Sequence, residues 1–332
     1  NTKYSTANIQ KIKITLYSII LDYISLSLPA FFIILMRFHR NISFAVIDAL
    51  LAIFNEKEYA DKVVARALKL DKRWGSNDRK FVAETIYDIV RWKRLYAEIA
   101  EAKEPFTRDY VWRLFAIWAV LRGYTLPDWK YFEQTPVRRI KGKFDELSKN
   151  RSIRESIPDW MDEICSKELG DDIWEKEIKA QNEQARVILR VNTLKTTPQK
   201  LQELLNTLDI ETETLKEYPD ALILKERANV FMTDAFKNGL FEVQDASSQL
   251  VARFLDIQPG MRVVDACAGA GGKTLHIASL LENKGQIIAM DLYESKLKQL
   301  KLRAKRNGVH NIDCRVIEST KTIKKGILKN DK

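Results

Sequence analysis

An acidic residue precedes a glycine-rich segment in an order typical of nucleotide-binding folds. Asp265 ends a short apolar run, residues 266–272 are small residues and glycines, and an apolar pattern of helical period opens at Lys273. This order predicts a strand, a tight turn and a helix. Glycines let the backbone approach a ligand closely, and the first N–H groups of a helix can face an anion or a polar group. A ligand-binding loop is therefore predicted between Asp265 and the start of the helix.

The charge and spacing of this loop indicate which ligand it holds. A phosphate-binding loop needs G-x-x-x-x-G-K-[ST], but position 267 is Cys where the first glycine belongs. A second predicted strand, 286–290, ends at Asp291, where such folds place the acid that hydrogen-bonds a ribose. Asp265 would repel a pyrophosphate and suits the cationic end of S-adenosylmethionine. An adenosine-type ligand is favoured over a P-loop nucleotide hydrolase and over a turn that binds nothing.

Four motifs, in the expected order, resemble those of the RsmB/Nop/Sun family of RNA cytosine-5 methyltransferases. Residues 267–273 (CAGAGGK) resemble its C-A-x-P/A-G-G-K motif, and residues 243–249 (VQDASSQ) resemble its Q-D-x-S-S-Q segment. Residues 190–195 (RVNTLK) are similar to R-V-N-T-L-K, and residues 157–160 (IPDW) to the P-x-W entry of the catalytic half. The resemblance covers about 36–319.

The resemblance implies S-adenosylmethionine as the cofactor, held by the loop and by acids at the ends of three strands. Glu318 departs mildly from the family, which usually has Asp facing the adenine end of the cofactor. The predicted cofactor-binding residues are Asp265, Cys267, Ala268, Gly269, Ala270, Gly271, Gly272, Lys273, Asp291 and Glu318.

A basic charge balance indicates a polyanionic partner. The chain carries a net charge of +10 and has a pI near 9.3, which suits nucleic acid. The resemblance implies that this partner is RNA, most simply ribosomal RNA. The predicted RNA-binding residues are Arg79, Arg91, Arg190, Asn192 and Lys195. The alternatives are a solvated basic face for the first two and a turn-capping role for Asn192.

The resemblance also implies the chemistry, which is methylation of carbon 5 of cytosine in RNA. Family members add a cysteine thiolate to carbon 6 of the base, so that carbon 5 can attack the methyl group of the cofactor. The nucleophile and a second cysteine, in a D-x-P-C-S segment, lie beyond the third strand of the catalytic domain. No catalytic residue is therefore assigned, and the nucleophile is expected beyond the end of the chain. The chain is expected to be an incomplete fragment of such an enzyme; the alternative is a non-catalytic RNA-binding protein derived from one.

The predicted fold is multidomain. The pattern and the resemblance together predict an all-α NusB-like domain over 36–150, a small α+β module over 151–229, and over 230–332 the first half of a truncated α/β Rossmann-like methyltransferase domain. Prolines and glycine within 127–143 predict a linker after the helical domain. The aromatic residues of that domain are predicted to pack in its core and not to line a ligand site. Residues 157–160 and Thr197, with Pro198 next to it, are predicted to start helices, and Asn307-Gly308 is predicted to end one. Residues 1–35 are interpreted as a non-native upstream segment, with translation starting at Met36, in preference to a membrane anchor formed by the apolar stretch 14–36.

The composition excludes several other classes of protein. With 332 residues, 45% of them hydrophobic, the chain can bury real cores and is not expected to be disordered. Three cysteines lie far apart and only three histidines are present, so neither a zinc site nor a disulfide framework is predicted. A reducing, cytoplasmic compartment, no metal and a monomeric state are expected.

Overall fold

The computed structural model describes residues 38–133 and 135–318, in two units. Unit 1 is Asn1–Gln184 and unit 2 is Ala185–Lys332. The predicted upstream segment and the apolar stretch 14–36 lie outside the described residues. None of the helices within the described ranges is long and apolar enough to cross a membrane.

The described part of unit 1 is helical, as the periodicity of its apolar residues predicts. Most of its helices pack around a common core, in which the helix Arg108–Leu121 is buried along most of its length. Ile157, Trp174 and Ile178 form a separate, smaller cluster. The helices are α1 (Arg40–Phe54), α2 (Ala60–Ala67), α3 (Ser76–Arg91), α4 (Lys93–Ala100), α5 (Arg108–Leu121), α6 (Val137–Leu147), α7 (Arg151–Arg154), α8 (Asp159–Leu169) and α9 (Asp171–Asn182), with a 3-10 turn at Lys130–Phe132.

Aromatic side chains form much of this core, which confirms the prediction that they pack together. Trp112 is 1% exposed and stacks on Tyr131, with ring centroids 4.5 Å apart. Trp118 is also buried, and its indole N–H donates to the Asp88 carboxylate at 2.8 Å. Arg122 completes the group by pairing with Asp88 at 2.7 Å. The buried indole N–H of Trp118 is thus satisfied, whereas that of Trp112 has no partner among the described residues.

The predicted linker was wrong for residues 137–143, which belong to α6. Pro136 is the N-cap of this helix, where the missing N–H of proline costs nothing. Ile140 is 3% exposed and packs into the helical core. Pro136 therefore marks the start of a helix and not a break between domains. The helix predicted after Pro158 is confirmed as α8.

Unit 2 begins with an antiparallel sheet of four strands. They are β1 (Ile188–Val191), β2 (Thr212–Leu215), β3 (Tyr218–Leu224) and β4 (Phe241–Val243), in the order β2-β3-β1-β4. Helices α10 (Pro198–Asn206) and α11 (Asp234–Lys237) and a 3-10 turn (Val230–Met232) complete this module. Thr197 caps α10 by accepting from the Lys200 N–H, as predicted.

A parallel sheet of three strands follows in the order β5-β6-β7. The strands are β5 (Arg262–Asp265), β6 (Gln286–Asp291) and β7 (Ile312–Val316), and the helices around them are α12 (Ala246–Phe254), α13 (Gly272–Leu280) and α14 (Glu294–Asn307). Helix α14 ends at Gly308 in the left-handed conformation, the predicted stop. Alternating strands and helices of this kind bring the strand ends to one edge.

Candidate functional site

Asp265 and Asp291 lie at the carboxyl ends of two neighbouring parallel strands. Asp265 is the last residue of β5 and pairs in register with Ala289 of β6, two positions before Asp291. Because the strands are parallel, both carboxylates lie at the edge where the glycine-rich loop begins. The structure thus brings together the two acids that the sequence singled out.

Asp291 fixes one side of the loop. Its Oδ2 accepts from the Gly269 N–H at 2.8 Å, and its Oδ1 accepts from the Tyr293 N–H at 2.9 Å. The Ala268 N–H donates to the Met290 carbonyl at 2.9 Å. The middle of the loop is therefore attached to the end of β6 by two short bonds, one to the Asp291 carboxylate and one to the Met290 carbonyl.

Asp265 fixes the other side of the loop. Its Oδ2 accepts from the Thr274 hydroxyl at 2.7 Å, and its Oδ1 accepts from the Cys267 N–H at 3.3 Å. Thr274 is fully buried in the first turn of α13. The carboxylate therefore connects the end of β5 to the start of the following helix.

Gly271 occupies a position that no other residue could take without rearrangement. Its φ is 89°, and a Cβ built on it would lie 2.7 Å from Leu300 Cγ in α14. Left-handed backbone and close approach both require glycine. The loop therefore packs directly on α14.

The remaining predicted cofactor residues lie along the same loop. Cys267 and Lys273 are exposed, whereas Ala268 is buried against the sheet. Glu318 is exposed and follows Ile317, whose N–H donates to the Asp291 carbonyl at 3.1 Å. Glu318 therefore follows the end of β7, the third strand in the row.

Three predicted RNA-binding residues of unit 2 bind backbone carbonyls of the protein itself. Arg190, 3% exposed, donates to the Gly272 carbonyl and to Gln244 Oε1. Asn192, 5% exposed, donates to the carbonyls of Gly239 and Asn307 at 2.7 and 2.9 Å. Lys195 donates to the carbonyls of Asn238 and Arg306 at 2.8 and 2.7 Å. Their role in RNA binding stays a prediction, and their observed contacts are internal.

The two predicted RNA-binding residues of unit 1 are also engaged. Arg79 donates to the carbonyls of Trp74 and Leu68 at 3.0 and 2.6 Å. Arg91 donates to the Gln181 carbonyl and to Asn182 Oδ1 at 3.1 and 3.0 Å. In each of these two guanidinium groups, other N–H groups can donate to a further acceptor.

Sequence reasoning missed a buried acid that organises the neighbourhood of the loop. Glu242 of β4 is 3% exposed and accepts from Arg303, Arg306 and Asn307 of α14. Burial alone would raise the pKa of Glu242, but these donors hold it below its ordinary value. A single Glu in a three-residue strand gives no sign in the sequence that basic residues 60 positions later will surround it.

A buried histidine connects the antiparallel module to α13. His276 is 1% exposed, and its Nε2 lies 3.2 Å from Asp220 Oδ2, which also accepts from Arg253. Burial lowers the pKa of His276, against the opposing effect of Asp220, and Arg190 and Arg253 lower it further. His276 is therefore neutral in the folded chain near neutral pH.

This histidine predicts a loss of stability in mild acid. A pKa that folding lowers favours protonation of the unfolded chain, so the free energy of unfolding should fall as the pH drops below about 6.5, the ordinary value for histidine. His276→Gln should reduce that dependence. Urea unfolding at pH 7.5 and 5.5 measures it, and an equal pH dependence in both proteins would contradict the prediction.

Comparisons with known proteins match two segments of the chain. Residues 157–231 match the model of the RsmF/B-like methyltransferase ferredoxin-like domain, and residues 252–330 match that of the 16S rRNA methyltransferase RsmB/F. The second match contains the loop, both acids and α14.

Relatives with assigned names are ribosomal RNA methyltransferases. The "probable ribosomal RNA small subunit methyltransferase B" of Synechocystis is 29% identical over 287 residues, which are 76% of this chain and 64% of the relative. The ribosomal RNA small subunit methyltransferase B of Vibrio cholerae is 34% identical over 188 residues, 57% of this chain and 40% of the relative. The 25S rRNA (cytosine-C(5))-methyltransferase NSUN5 of Arabidopsis thaliana is 36% identical over 126 residues, 38% of this chain and 22% of the relative. The chain spans less than two thirds of each relative.

A solved structure shares the fold. The crystal structure of PH0851 aligns with a TM-score of 0.66 at 23% identity, covering 86% of this chain and 70% of that one. A helical region, a small sheet module and a methyltransferase-like fold therefore follow one another along the chain. Both matched models and the four motifs in order make these segments of the chain similar to the RsmB/Sun family of RNA methyltransferases.

Proposed function

We propose that this chain is the cofactor-binding part of an enzyme that transfers a methyl group from S-adenosylmethionine to carbon 5 of cytosine in RNA, with ribosomal RNA as the substrate. The observation that carries the proposal is the pair of carboxylates, Asp265 and Asp291, at adjacent strand ends beside a glycine-rich loop. The similarity to ribosomal RNA methyltransferases, one of them a cytosine-C(5) enzyme, supports the same reaction.

The donors and acceptors present fit S-adenosylmethionine. Each oxygen of Asp291 accepts one backbone N–H and keeps a further lone pair, which suits ribose hydroxyls. Exposed Leu292 and Tyr293 follow at once and offer apolar surface to an adenine ring. Asp265 offers negative charge to the sulfonium. When bound, the cofactor supplies an electrophilic methyl group.

The chain's own residues would bind and orient the cofactor. Gly269 and Gly271 allow the close approach of the loop, and Thr274 keeps the Asp265 carboxylate fixed. Within the described residues, no group of three or more His, Cys, Asp or Glu side chains could hold a metal ion. The predicted site remains Asp265, 267–273, Asp291 and Glu318.

Exposed lysines along α14 support an RNA substrate. Lys296, Lys301 and Lys305 are exposed on this helix, which packs on the cofactor loop. Phosphate neutralisation by such side chains gives affinity without sequence specificity.

We further propose that 36–150 is a NusB-like RNA-binding domain, that 151–229 is the small module, and that 230–332 is the first half of a Rossmann-like domain.

The test of this function is made in the cell. Deletion of the gene should abolish 5-methylation at one cytosine of ribosomal RNA, measured by bisulfite sequencing. The native gene should restore it, and the Asp291→Ala gene should not. An unchanged methylation pattern after deletion would contradict the proposal and favour a non-catalytic RNA-binding protein, which filter binding of ribosomal RNA to the purified chain would then show.

A further inference from the structure

We propose that Arg190 and Arg303 are positioning residues of the cofactor loop, which act through two of its backbone carbonyls. The inference rests on the proposed S-adenosylmethionine site for its effect on affinity, but the hydrogen bonds themselves stand on the structure alone. It gives Arg190 a role other than the RNA contact that its motif suggested.

Arg303 connects the loop to a buried acid. From α14, its NH1 donates to the Ala270 carbonyl at 2.8 Å, and its NH2 donates to Glu242 Oε2 at 2.8 Å. The side chain of Glu242 is only 4% exposed, so the surrounding protein holds its carboxylate in one position. One planar guanidinium therefore bridges β4 and the loop.

Arg190 reaches the same loop from β1. It lies directly opposite Glu242 in the β1–β4 register and donates to the Gly272 carbonyl. The side-chain oxygen of Gln244 accepts from the same NH1. The main-chain carbonyl of Gln244 accepts from the side chain of buried Gln249 at 3.0 Å, which holds the backbone of Gln244 in place. Burial of a charged group is costly unless it is hydrogen-bonded. For the buried charge of Arg190, the Gly272 carbonyl of the loop is one of these hydrogen-bond partners.

These two carbonyls control the orientation of loop N–H groups. A peptide unit is planar, so a fixed carbonyl also fixes the N–H of the next residue. The Ala270 carbonyl thus orients the Gly271 N–H, which donates to Ala268 at 2.9 Å. The Gly272 carbonyl orients the N–H of Lys273, in the first turn of α13, where N–H groups have no partner inside the helix. That N–H is the kind of donor that a bound ligand uses.

Arg306 provides a matched control within the same helix. It also pairs with Glu242, and its side chain is 23% exposed against 26% for Arg303. Its guanidinium contacts the Phe236 ring at 4.0 Å, and no bond from it to a loop carbonyl occurs among the described contacts. Arg303→Met and Arg306→Met therefore remove the same charge and a pairing with the same acid, but only the first removes a loop contact.

The first experiment titrates the full chain with S-adenosylhomocysteine by calorimetry. Arg303→Met should raise the Kd about tenfold or more, since a hydrogen bond between charged and neutral partners is lost and the loop is released. Arg306→Met should change the Kd less than about threefold. Arg303→Lys should restore only part of the affinity, because an ammonium cannot bridge both acceptors as the planar fork does. Equal Kd values for the two Met variants would overturn the inference.

The second experiment needs no cofactor. Hydrogen exchange of the peptide that covers 265–274 should be faster in Arg303→Met than in Arg306→Met, and Arg190→Lys should also speed it. If the native chain binds no S-adenosylhomocysteine but the difference in exchange appears, the proposed function fails and the positioning role stands. Equal exchange in both Met variants would overturn the positioning role whatever the binding result.

Discussion

Asp291→Ala should weaken the binding of S-adenosylmethionine about 100-fold. The carboxylate makes two charge-assisted hydrogen bonds, to the N–H groups of Gly269 and Tyr293, and is proposed to accept from the ribose. Loss of hydrogen bonds from the ribose hydroxyls to this charged acceptor costs about 1.5–3 kcal/mol each, and about 3 kcal/mol in total corresponds to two decades in Kd. Calorimetric titration measures the change.

Asp313→Ala provides the control for this variant. Asp313 is the second residue of β7 in the same sheet, pairs with Arg315 at 2.6 Å, and lies away from the carboxyl ends of the strands. Its loss should leave the Kd within about threefold, because Asp313 is not among the described residues that contact the cofactor loop. RNA affinity should be unchanged in both variants. A parallel fall in RNA affinity for Asp291→Ala would indicate unfolding and count against a local role.

Glu242→Ala should lower the free energy of unfolding of unit 2 by about 3–5 kcal/mol. Removal of one member of a buried charged group leaves the others uncompensated, which is the costly way to break it. Here Arg303 and Arg306 would lose their common acceptor, and Asn307 would lose a bond. The cofactor loop should become more mobile as well, since Arg303 would lose its second attachment.

The measurement should report on unit 2 itself. All seven tryptophans lie at or before Trp174, so their fluorescence reports on unit 1. Hydrogen exchange of peptides from residue 185 onward, with increasing urea, follows the unfolding of unit 2. Glu213→Ala is the control, because Glu213 pairs with Arg186 on the surface and should cost less than about 1 kcal/mol. A loss below about 1 kcal/mol for Glu242→Ala would contradict the assigned role.

The elements around the site were predictable because each carries a local signal. Thr197 with Pro198 predicted the start of α10, and Asn307 with Gly308 predicted the end of α14. The strand that ends at Asp291 was readable from its apolar run. Such signals depend on neighbours in the chain, so a single sequence contains them.

The contacts of the site were not predictable in the same way. Arg190 and Glu242 face one another only because β1 and β4 pair in one register, and no local pattern states that register. The sequence shows Arg303 and Arg306 as members of a basic helix, but not that both bind Glu242 or that Arg303 also binds a loop carbonyl. Pro136 accounts for the wrong prediction of a linker, because a proline that would break the interior of a helix is well placed at its start.

The most direct measurement is calorimetric titration of the purified chain with S-adenosylmethionine and, separately, with ATP and magnesium. Saturable binding of S-adenosylmethionine, weakened by Asp291→Ala, together with no binding or hydrolysis of ATP, is the result expected from the two carboxylates and from Cys267 in place of a P-loop glycine. Binding of ATP in its place, or no binding of S-adenosylmethionine by a chain that circular dichroism shows to be folded, would contradict the assignment of this loop.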